Sequence, residues 1–167
     1  LGWAAMATAV LQDTGEVFPC SVVLDGEWGQ SGMSLSVPVR LGLAKAMVAR
    51  RDVAGAIAEL QKATELDPKN AAAQYELGSV LLRMKGDAAS ATAPFQKAVA
   101  LEPSNTAYAT ALGSALVGAQ QFAPAIDVLT RLTALPDYNQ PDGFVSLGQA
   151  YVQGKRYKDA VPVLEKA

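Results

Sequence analysis

Residues 71–105 read AAAQYELGSVLLRMKGDAASATAPFQKAVALEPSN, and this stretch decides the fold. Its first half places Leu77 and Leu81 four positions apart, which puts both side chains on one face of a helix. Its second half repeats that spacing with Ala91 and Phe95. The glycine and aspartate between the halves are a turn signal. The stretch therefore predicts a hairpin of two helices, over about Ala71–Met84 and Ala88–Leu101.

The same arrangement recurs about every 35 positions along the chain. In the first helix of each hairpin, a leucine is followed by a small residue, as in Leu43-Ala44, Leu77-Gly78, Leu112-Gly113 and Leu147-Gly148. In the second helix, a small residue recurs as Ala56, Ala91, Ala125 and Ala160, and a large one four positions later as Leu60, Phe95, Leu129 and Leu164. Small residues let two helix backbones approach, and large ones fill the space around that contact. The chain is therefore expected to be an array of stacked helical hairpins.

This pattern resembles the tetratricopeptide repeat, whose signature is a Leu-Gly pair, a later tyrosine-like residue, an alanine, a large residue and a closing proline. Pro68 and Pro103 occupy the closing position. The resemblance implies an all-α fold, a right-handed α-solenoid of helical hairpins. The implied units are about 37–70, 71–105, 106–140 and 141–167, and the last of them is incomplete.

The chain departs from the family pattern in several ways, among them an extra residue between Leu132 and Leu147 in the third unit. The early tryptophan of the family is replaced in the four units by Arg40, Gln74, Ala109 and Phe144. In addition, Pro94 and Pro162 fall inside second helices, where a proline is expected to produce a kink.

Residues 1–36 lie outside the repeat pattern and are expected to form a separate N-terminal arm. They contain four acidic residues and no basic one, and glycines at positions 15, 26, 29 and 32 interrupt any helix between Gln12 and Ser36. Two interpretations stay open for residues 21–28, a short β-hairpin or part of an irregular arm lying along the array. The arm either docks a neighbouring protein or links the array to an upstream domain.

Composition argues against several classes of function. The chain has no histidine and a single cysteine, Cys20, so the commonest general base, His-dependent triads and cysteine-based metal clusters are absent. The net charge of -2 gives no pull toward nucleic acid. No apolar run is long enough for a membrane-spanning helix. We therefore expect no enzymatic activity, no cofactor, no metal, no nucleic-acid partner and no membrane span in this segment.

The family resemblance implies a concave groove lined by the first helix of each unit. The positions that face a ligand in the family correspond here to Leu41, Lys45, Val48, Tyr75, Ser79, Leu82, Arg83, Thr110, Ser114, Val117, Asp142, Val145, Gln149 and Gln153. This set is mildly apolar and nearly neutral, which suits an extended peptide or a helix. A basic clamp for a C-terminal carboxylate, known from chaperone-binding members, is not expected, because Lys45 is the only basic residue at the corresponding positions.

Two functions are compatible with such an array. The chain is either a scaffold that binds a peptide or partner subunit in its groove, or an architectural subunit embedded in a larger complex whose groove is filled by a constitutive neighbour. The sequence leaves the compartment open between the bacterial cytoplasm and the periplasm or envelope. It also leaves two roles open for Tyr75, as a ligand-facing aromatic or as a side chain that covers the next helix.

Overall fold

The computed structural model describes residues 37–167, which form eight α-helices and, within that range, no strand. The helices are α1 (Val37–Ala49), α2 (Val53–Leu66), α3 (Ala71–Arg83), α4 (Ala88–Leu101), α5 (Thr106–Gly118), α6 (Phe122–Thr133), α7 (Pro141–Gln153) and α8 (Tyr157–Leu164). Consecutive helices pack in pairs, so each predicted repeat is a helical hairpin. The predicted all-α fold is confirmed. The expectations for residues 1–36, including Cys20, lie outside the described residues.

The described residues fall into two units, 37–68 and 69–167. The first unit contains the hairpin α1–α2. The second contains three hairpins in which each second helix also packs against the first helix of the next hairpin, as α4 does with α5 and α6 with α7. The first helices of successive hairpins touch as well, α3 with α5 and α5 with α7. This nearest-neighbour stacking is the architecture of an α-solenoid.

Side-chain caps begin three of the helices. The carboxylate of Asp52 accepts a hydrogen bond from the backbone N–H of Gly55 at 2.9 Å. Oδ1 of Asn70 accepts one from Ala73 at 2.9 Å, and Oδ1 of Asp87 accepts one from Ser90 at 3.0 Å. Each cap satisfies one of the free N–H groups at a helix N-terminus. The bounds predicted for the second hairpin agree with the structure to within one residue. Helix α3 ends at Arg83 and not at Met84, and α4 runs as predicted. The helices α2 and α4 end before Pro68 and Pro103.

The turn inside each hairpin contains one residue with left-handed backbone geometry. These residues are Arg51, Gly86, Gln120 and Lys155, with φ angles of 63°, 70°, 59° and 59°. Such a residue reverses the chain within the few positions between two helices. Three of the four are not glycine, although glycine adopts this geometry with the least strain.

The core is built from the contact between small and large residues that the sequence predicts. The side chains of Phe95, Leu129 and Leu164 lie against Gly78, Gly113 and Gly148 of the preceding first helices. Phe95, Leu60, Leu116 and Leu129 are the largest fully buried side chains of the described residues. Burying one such side chain stabilises the fold by about 1.5–3 kcal/mol.

The hairpins fill the position of the family tryptophan in different ways. In the first hairpin, Nη1 of Arg40 lies 2.6 Å from Oε2 of Glu59 on the paired helix. In the second, Gln74 is buried. In the fourth, the ring of Phe144 packs against that of Tyr138, with centroids 5.8 Å apart. These three hairpins therefore fill the position with different kinds of side chain.

The two helices that contain a proline continue through it. Pro94 lies inside α4 and is buried, and Pro162 lies inside α8. Helical structure extends on both sides of each ring, so the hairpin architecture is kept in both units.

Candidate protein-binding groove

The first helices α3, α5 and α7 lie side by side in the second unit, and we call their shared face the groove. Among the predicted ligand-facing residues, Tyr75, Ser79, Leu82, Thr110 and Ser114 are half-buried, and Arg83, Asp142, Val145, Gln149 and Gln153 are exposed. Val117 is buried, which leaves its side chain little surface for a ligand. The remaining predicted residues, Leu41, Lys45 and Val48, lie on α1 in the first unit.

An aromatic cluster joins α3 to α5. The rings of Tyr75 and Tyr108 are stacked with centroids 4.9 Å apart and planes at 28°. Tyr75 also contacts Phe95 in a tilted arrangement at 5.7 Å. Tyr75 thus covers the neighbouring first helix, one of the two roles left open by the sequence. Stacked and tilted ring pairs of this kind stabilise helix packing beyond their buried area.

The phenol of Tyr108 is held in its neutral form. Burial raises the pKa of Tyr108, and the negative charge of Glu102 raises it further. Tyr75 and Glu76 contribute in the same direction. The hydroxyl therefore stays protonated at neutral pH and can donate a hydrogen bond.

Hydroxyl groups join α5 to the junction after α6 and to α7. Oγ1 of Thr110 lies 3.2 Å from the hydroxyl of Tyr138, and Oγ of Ser114 lies 3.0 Å from Oγ of Ser146 on α7. Oγ1 of Thr110 already donates its proton to the carbonyl of Thr106 at 2.8 Å. Tyr138 must therefore be the donor in its bond to Thr110. These bonds use part of the polar capacity of Thr110 and Ser114 to fix neighbouring first helices.

The exposed residues of the groove remain available for a ligand. Gln149 and Gln153 lie one helical turn apart on α7, and each side-chain amide can both donate and accept. Arg83 lies in the last turn of α3 and adds one positive charge. A surface of amides with isolated apolar side chains matches the backbone groups of a polypeptide better than it matches a strongly charged ligand.

A separate open pocket lies at the junction between the third and fourth hairpins. Its volume is ≈ 240 Å³, and it is lined by Thr106 and by the residues between α6 and α7, Leu135, Pro136, Asp137, Tyr138, Asn139 and Gln140. Small-molecule sites usually enclose about 300–1,000 Å³. This pocket is smaller and open on one side, so the groove is the better candidate site.

Three residues of the groove region were not predicted from the sequence. Tyr108 and Ser146 contact predicted groove residues of the preceding repeat, and Tyr138 contacts Thr110 of its own repeat. Ser146 occupies a position in α7 where the other first helices carry Gly42, Glu76 and Ala111, so no shared residue type marks it. Tyr138 lies in the junction that follows α6, where the third unit holds one extra residue. This irregular length is the one feature of the sequence that could have pointed to Tyr138.

None of the helices within residues 37–167 is sufficiently long and apolar to cross a lipid bilayer.

Solved structures with the same fold include YrrB, described as a TPR protein with an unusual peptide-binding site, and MamA. The likeness to YrrB has a TM-score of 0.70 at 22% identity and covers 78% of this chain and 66% of that one. One MamA structure gives a TM-score of 0.69 at 25% identity, covering 78% of this chain and 70% of the other. A second gives 0.74 at 21% identity, covering 95% and 84%. These likenesses confirm the solenoid fold.

Curated relatives match over a short segment only. Malate dehydrogenases of Halobacterium salinarum and Natronomonas pharaonis are each 58% identical over 41 residues, which is 25% of this chain and 14% of the enzyme. The chain thus spans about one seventh of the length of these relatives.

Two family models match the repeats themselves. The model described as TPR repeat matches residues 44–85, and the model described as tetratricopeptide repeat matches residues 110–167. Together they cover more than half of the chain and fall on the hairpins that the structure shows. The chain belongs to the tetratricopeptide repeat family.

Proposed function

We propose that the chain is a non-enzymatic scaffold that binds an extended peptide or a helix of a partner protein along the groove. The observation that carries this proposal is the placement of exposed amides beside half-buried hydroxyl and aromatic side chains on three adjacent first helices. Solenoid arrays use surfaces of this extended kind to bind partners. The peptide-binding site ascribed to YrrB, which has the same fold, supports the proposal.

The chemistry of the groove sets the kind of ligand. Gln149 and Gln153 can pair with the N–H and C=O groups of a ligand backbone, which every polypeptide carries. Val145, four residues before Gln149 on α7, is 38% exposed and offers an apolar contact. The groove has few charges, so binding depends on shape, amide hydrogen bonds and apolar anchors. Its affinity is therefore expected to depend only weakly on salt.

The proposal is tested with matched glutamine substitutions. Peptides that bind the full chain are selected from a random display library, and their dissociation constants are measured by fluorescence anisotropy. Gln149→Ala removes a groove amide, and Gln96→Ala removes an equally exposed amide from the second helix α4. We expect Gln149→Ala to weaken binding by about 3- to 10-fold, as loss of one hydrogen bond predicts, and Gln96→Ala to leave it unchanged. Equal effects of the two substitutions, or no selected peptide, would contradict the proposal.

A dehydrogenase function is not proposed. The matched segment is 14% of the length of the enzymes, too short to contain both a cofactor domain and a substrate site. We expect no oxidation of malate by the purified chain when NAD reduction is followed by absorbance.

The architectural role is the second candidate. The exposed apolar side chains at the ends of α2 and α6, among them Leu66 and Leu135, favour it because a subunit of a permanent complex keeps such residues covered. A full chain that is soluble only when co-expressed with a partner would support this role, whereas a soluble chain that binds selected peptides supports the scaffold.

A further inference from the structure

The junction between α6 and α7 is longer than the other two junctions between hairpins. It comprises residues 134–140, seven in all, whereas 67–70 and 102–105 comprise four each. Helix α4 continues to Leu101, but α6 ends two residues before the equivalent position, Leu135. The third unit also holds its extra residue in this region. The additional chain lines the pocket of ≈ 240 Å³ described above, which we call the junction pocket.

The walls of the junction pocket are fixed by contacts within the chain. The backbone N–H of Leu135 donates to the carbonyl of Leu132 at 3.2 Å, and that of Tyr138 donates to the carbonyl of Leu135 at 3.1 Å. The side chain of Tyr138 is bonded to Thr110 and packs on α7, where a β-carbon at Gly143 would lie 2.8 Å from its Cε1. The pocket is therefore preformed, so a ligand group that enters it does not have to order the loop.

The lining of the junction pocket is partly apolar. Leu135, Pro136 and the ring of Tyr138 supply the apolar part, and Leu135 is 46% exposed. The polar lining residues are Thr106, Asp137, Asn139 and Gln140. An apolar group in the pocket would remove part of the Leu135 side chain from water, which is favourable in proportion to the area covered.

The volume of the junction pocket matches one side chain. A cavity of about 150 Å³ is large enough for benzene, whereas sites for whole small molecules usually enclose about 300–1,000 Å³. The pocket lies between these limits. It can therefore receive a side chain of the size of leucine or phenylalanine, as part of a larger ligand that lies outside the pocket.

The junction pocket adjoins the groove. Thr106 lines the pocket and lies one helical turn before Thr110, a half-buried residue of the groove. Tyr138 lines the pocket as well, and its hydroxyl lies 3.2 Å from Oγ1 of Thr110. A polypeptide bound along the groove thus passes beside the pocket at the N-terminal end of α5.

The charge around the junction pocket is negative. Asp137 lines the pocket, and the exposed Asp142 lies two positions after the lining residue Gln140. Neither carboxylate forms an ion pair within residues 37–167, and the lining residues include no basic one. Such a surface favours a lysine or arginine beside the side chain that enters the pocket and disfavours a carboxylate there.

We propose that the junction pocket is the anchor subsite of the groove: it receives one large apolar side chain of the bound polypeptide, next to a basic residue of the same ligand. This inference rests on the proposed function of the groove, and it adds which side chains of the ligand are recognised. The pocket determines the position of the ligand, since only one of its side chains is held there.

Coupling between the ligand and Leu135 tests the anchor. A peptide that binds the full chain is selected as above, and its apolar residues are replaced by alanine in turn. One replacement, that of the anchor, is expected to weaken binding by about 10-fold in the unaltered chain and by less than about 3-fold in Leu135→Ala. Leu101→Ala is the matched control, because Leu101 lies 34 positions earlier in the repeat pattern, is also exposed and lies outside the pocket. Circular dichroism checks that both variants are folded.

Gln149→Ala separates failure of the anchor from failure of the groove. If Gln149→Ala weakens binding but no apolar residue of the peptide is coupled to Leu135, the anchor subsite is overturned and the groove function stands. If Gln149→Ala has no effect, or no peptide is selected, the groove function is contradicted and the anchor subsite is overturned with it.

The basic neighbour is tested by charge exchange in the ligand. Versions of the peptide with lysine or glutamate beside the anchor are compared at low salt, and the lysine version is expected to bind up to about 5-fold more tightly. Asp137→Asn should narrow this difference. Asp127→Asn, which removes an exposed carboxylate of α6 outside the pocket, should leave it unchanged. Equal affinities of the two peptides for the unaltered chain, or tighter binding of the glutamate version, would overturn the assignment of a basic neighbour.

Discussion

The ring of Phe95 lies directly on the backbone of Gly78: a β-carbon at Gly78 would be 2.8 Å from Cδ1 and Cε1 of that ring. Phe95 is fully buried, so the ring has no free space into which it can move. The second hairpin therefore depends on the absence of a side chain at residue 78.

Gly78→Ala is expected to destabilise the chain despite the better helix propensity of alanine. Alanine gains about 1 kcal/mol over glycine inside a helix, but overpacking a core costs about 1–3 kcal/mol. The free energy of unfolding, measured by urea denaturation, should fall by about 1 kcal/mol. The double variant Gly78→Ala/Phe95→Leu should recover part of the free energy of unfolding that overpacking removes. A Gly78→Ala chain that is more stable than the original would contradict the packing.

Ala91→Phe is expected to lower the thermal unfolding midpoint. Ala91 is completely buried between helices, so a ring at this position must displace them. Ala89→Phe is the matched control, because Ala89 lies in the same helix and is exposed. Circular dichroism melting compares the two variants. Equal midpoints would show that the register assigned to α4 is wrong.

The ion pair of the first hairpin gives a third prediction. Oε2 of Glu59 lies 2.6 Å from Arg40, and both side chains are only 12% exposed. Glu59→Ala leaves a largely buried guanidinium without this carboxylate and should cost roughly 3 kcal/mol. Lys62 also bonds Glu59, at 3.0 Å, but its side chain is exposed, so Lys62→Ala should cost less than about 1 kcal/mol. Denaturation of both variants tests this order.

Tyr138→Phe removes the donor that holds Thr110. Tyr138 is buried and its hydroxyl lies 3.2 Å from Oγ1 of Thr110, so its loss should cost about 1 kcal/mol. Tyr157→Phe removes a hydroxyl from an exposed tyrosine and should leave the free energy of unfolding unchanged. If both variants unfold like the original chain, the bond between α5 and the following junction does not stabilise the fold.

The cap of α4 makes part of the stability depend on pH. The hydrogen bond from the backbone of Ser90 lowers the pKa of Asp87 below its ordinary value of 3.8. A carboxyl group with a lowered pKa stabilises the folded chain above its ordinary pKa, and that contribution is lost as pH falls through the lowered value. Asp87→Asn keeps a capping oxygen but does not titrate. The difference in melting midpoint between the original chain and this variant should therefore shrink when pH is lowered from about 6 to about 2, and a constant difference would contradict it.

The sequence predicts the hairpins well because their determinants are local. Asp87 and Pro103 bracket α4, and the spacing of Ala91 and Phe95 fixes its buried face. The groove is less predictable, since it depends on which residues of neighbouring repeats meet. The family positions do not indicate that Tyr108 stacks on Tyr75, because that contact depends on two large side chains happening to face each other.

Two further details could not be derived from the pattern. Val117 occupies a ligand-facing position of the family but is buried, in a helix that packs against the following hairpin. Tyr138 comes from a junction of irregular length, where no repeat position defines its orientation. Both outcomes depend on packing between hairpins, and the spacing within one hairpin contains no information about it.

Replacing the left-handed non-glycine residues of the turns with glycine would relieve backbone strain and raise stability. A non-glycine residue in that geometry costs about 1–2 kcal/mol, whereas glycine costs about 0.5–1 kcal/mol in lost freedom. Arg51, Gln120 and Lys155 each lie at such a turn, where the second hairpin uses Gly86. Local opening of the first, third and fourth hairpins can therefore be tuned separately by one substitution at each turn, without altering the groove.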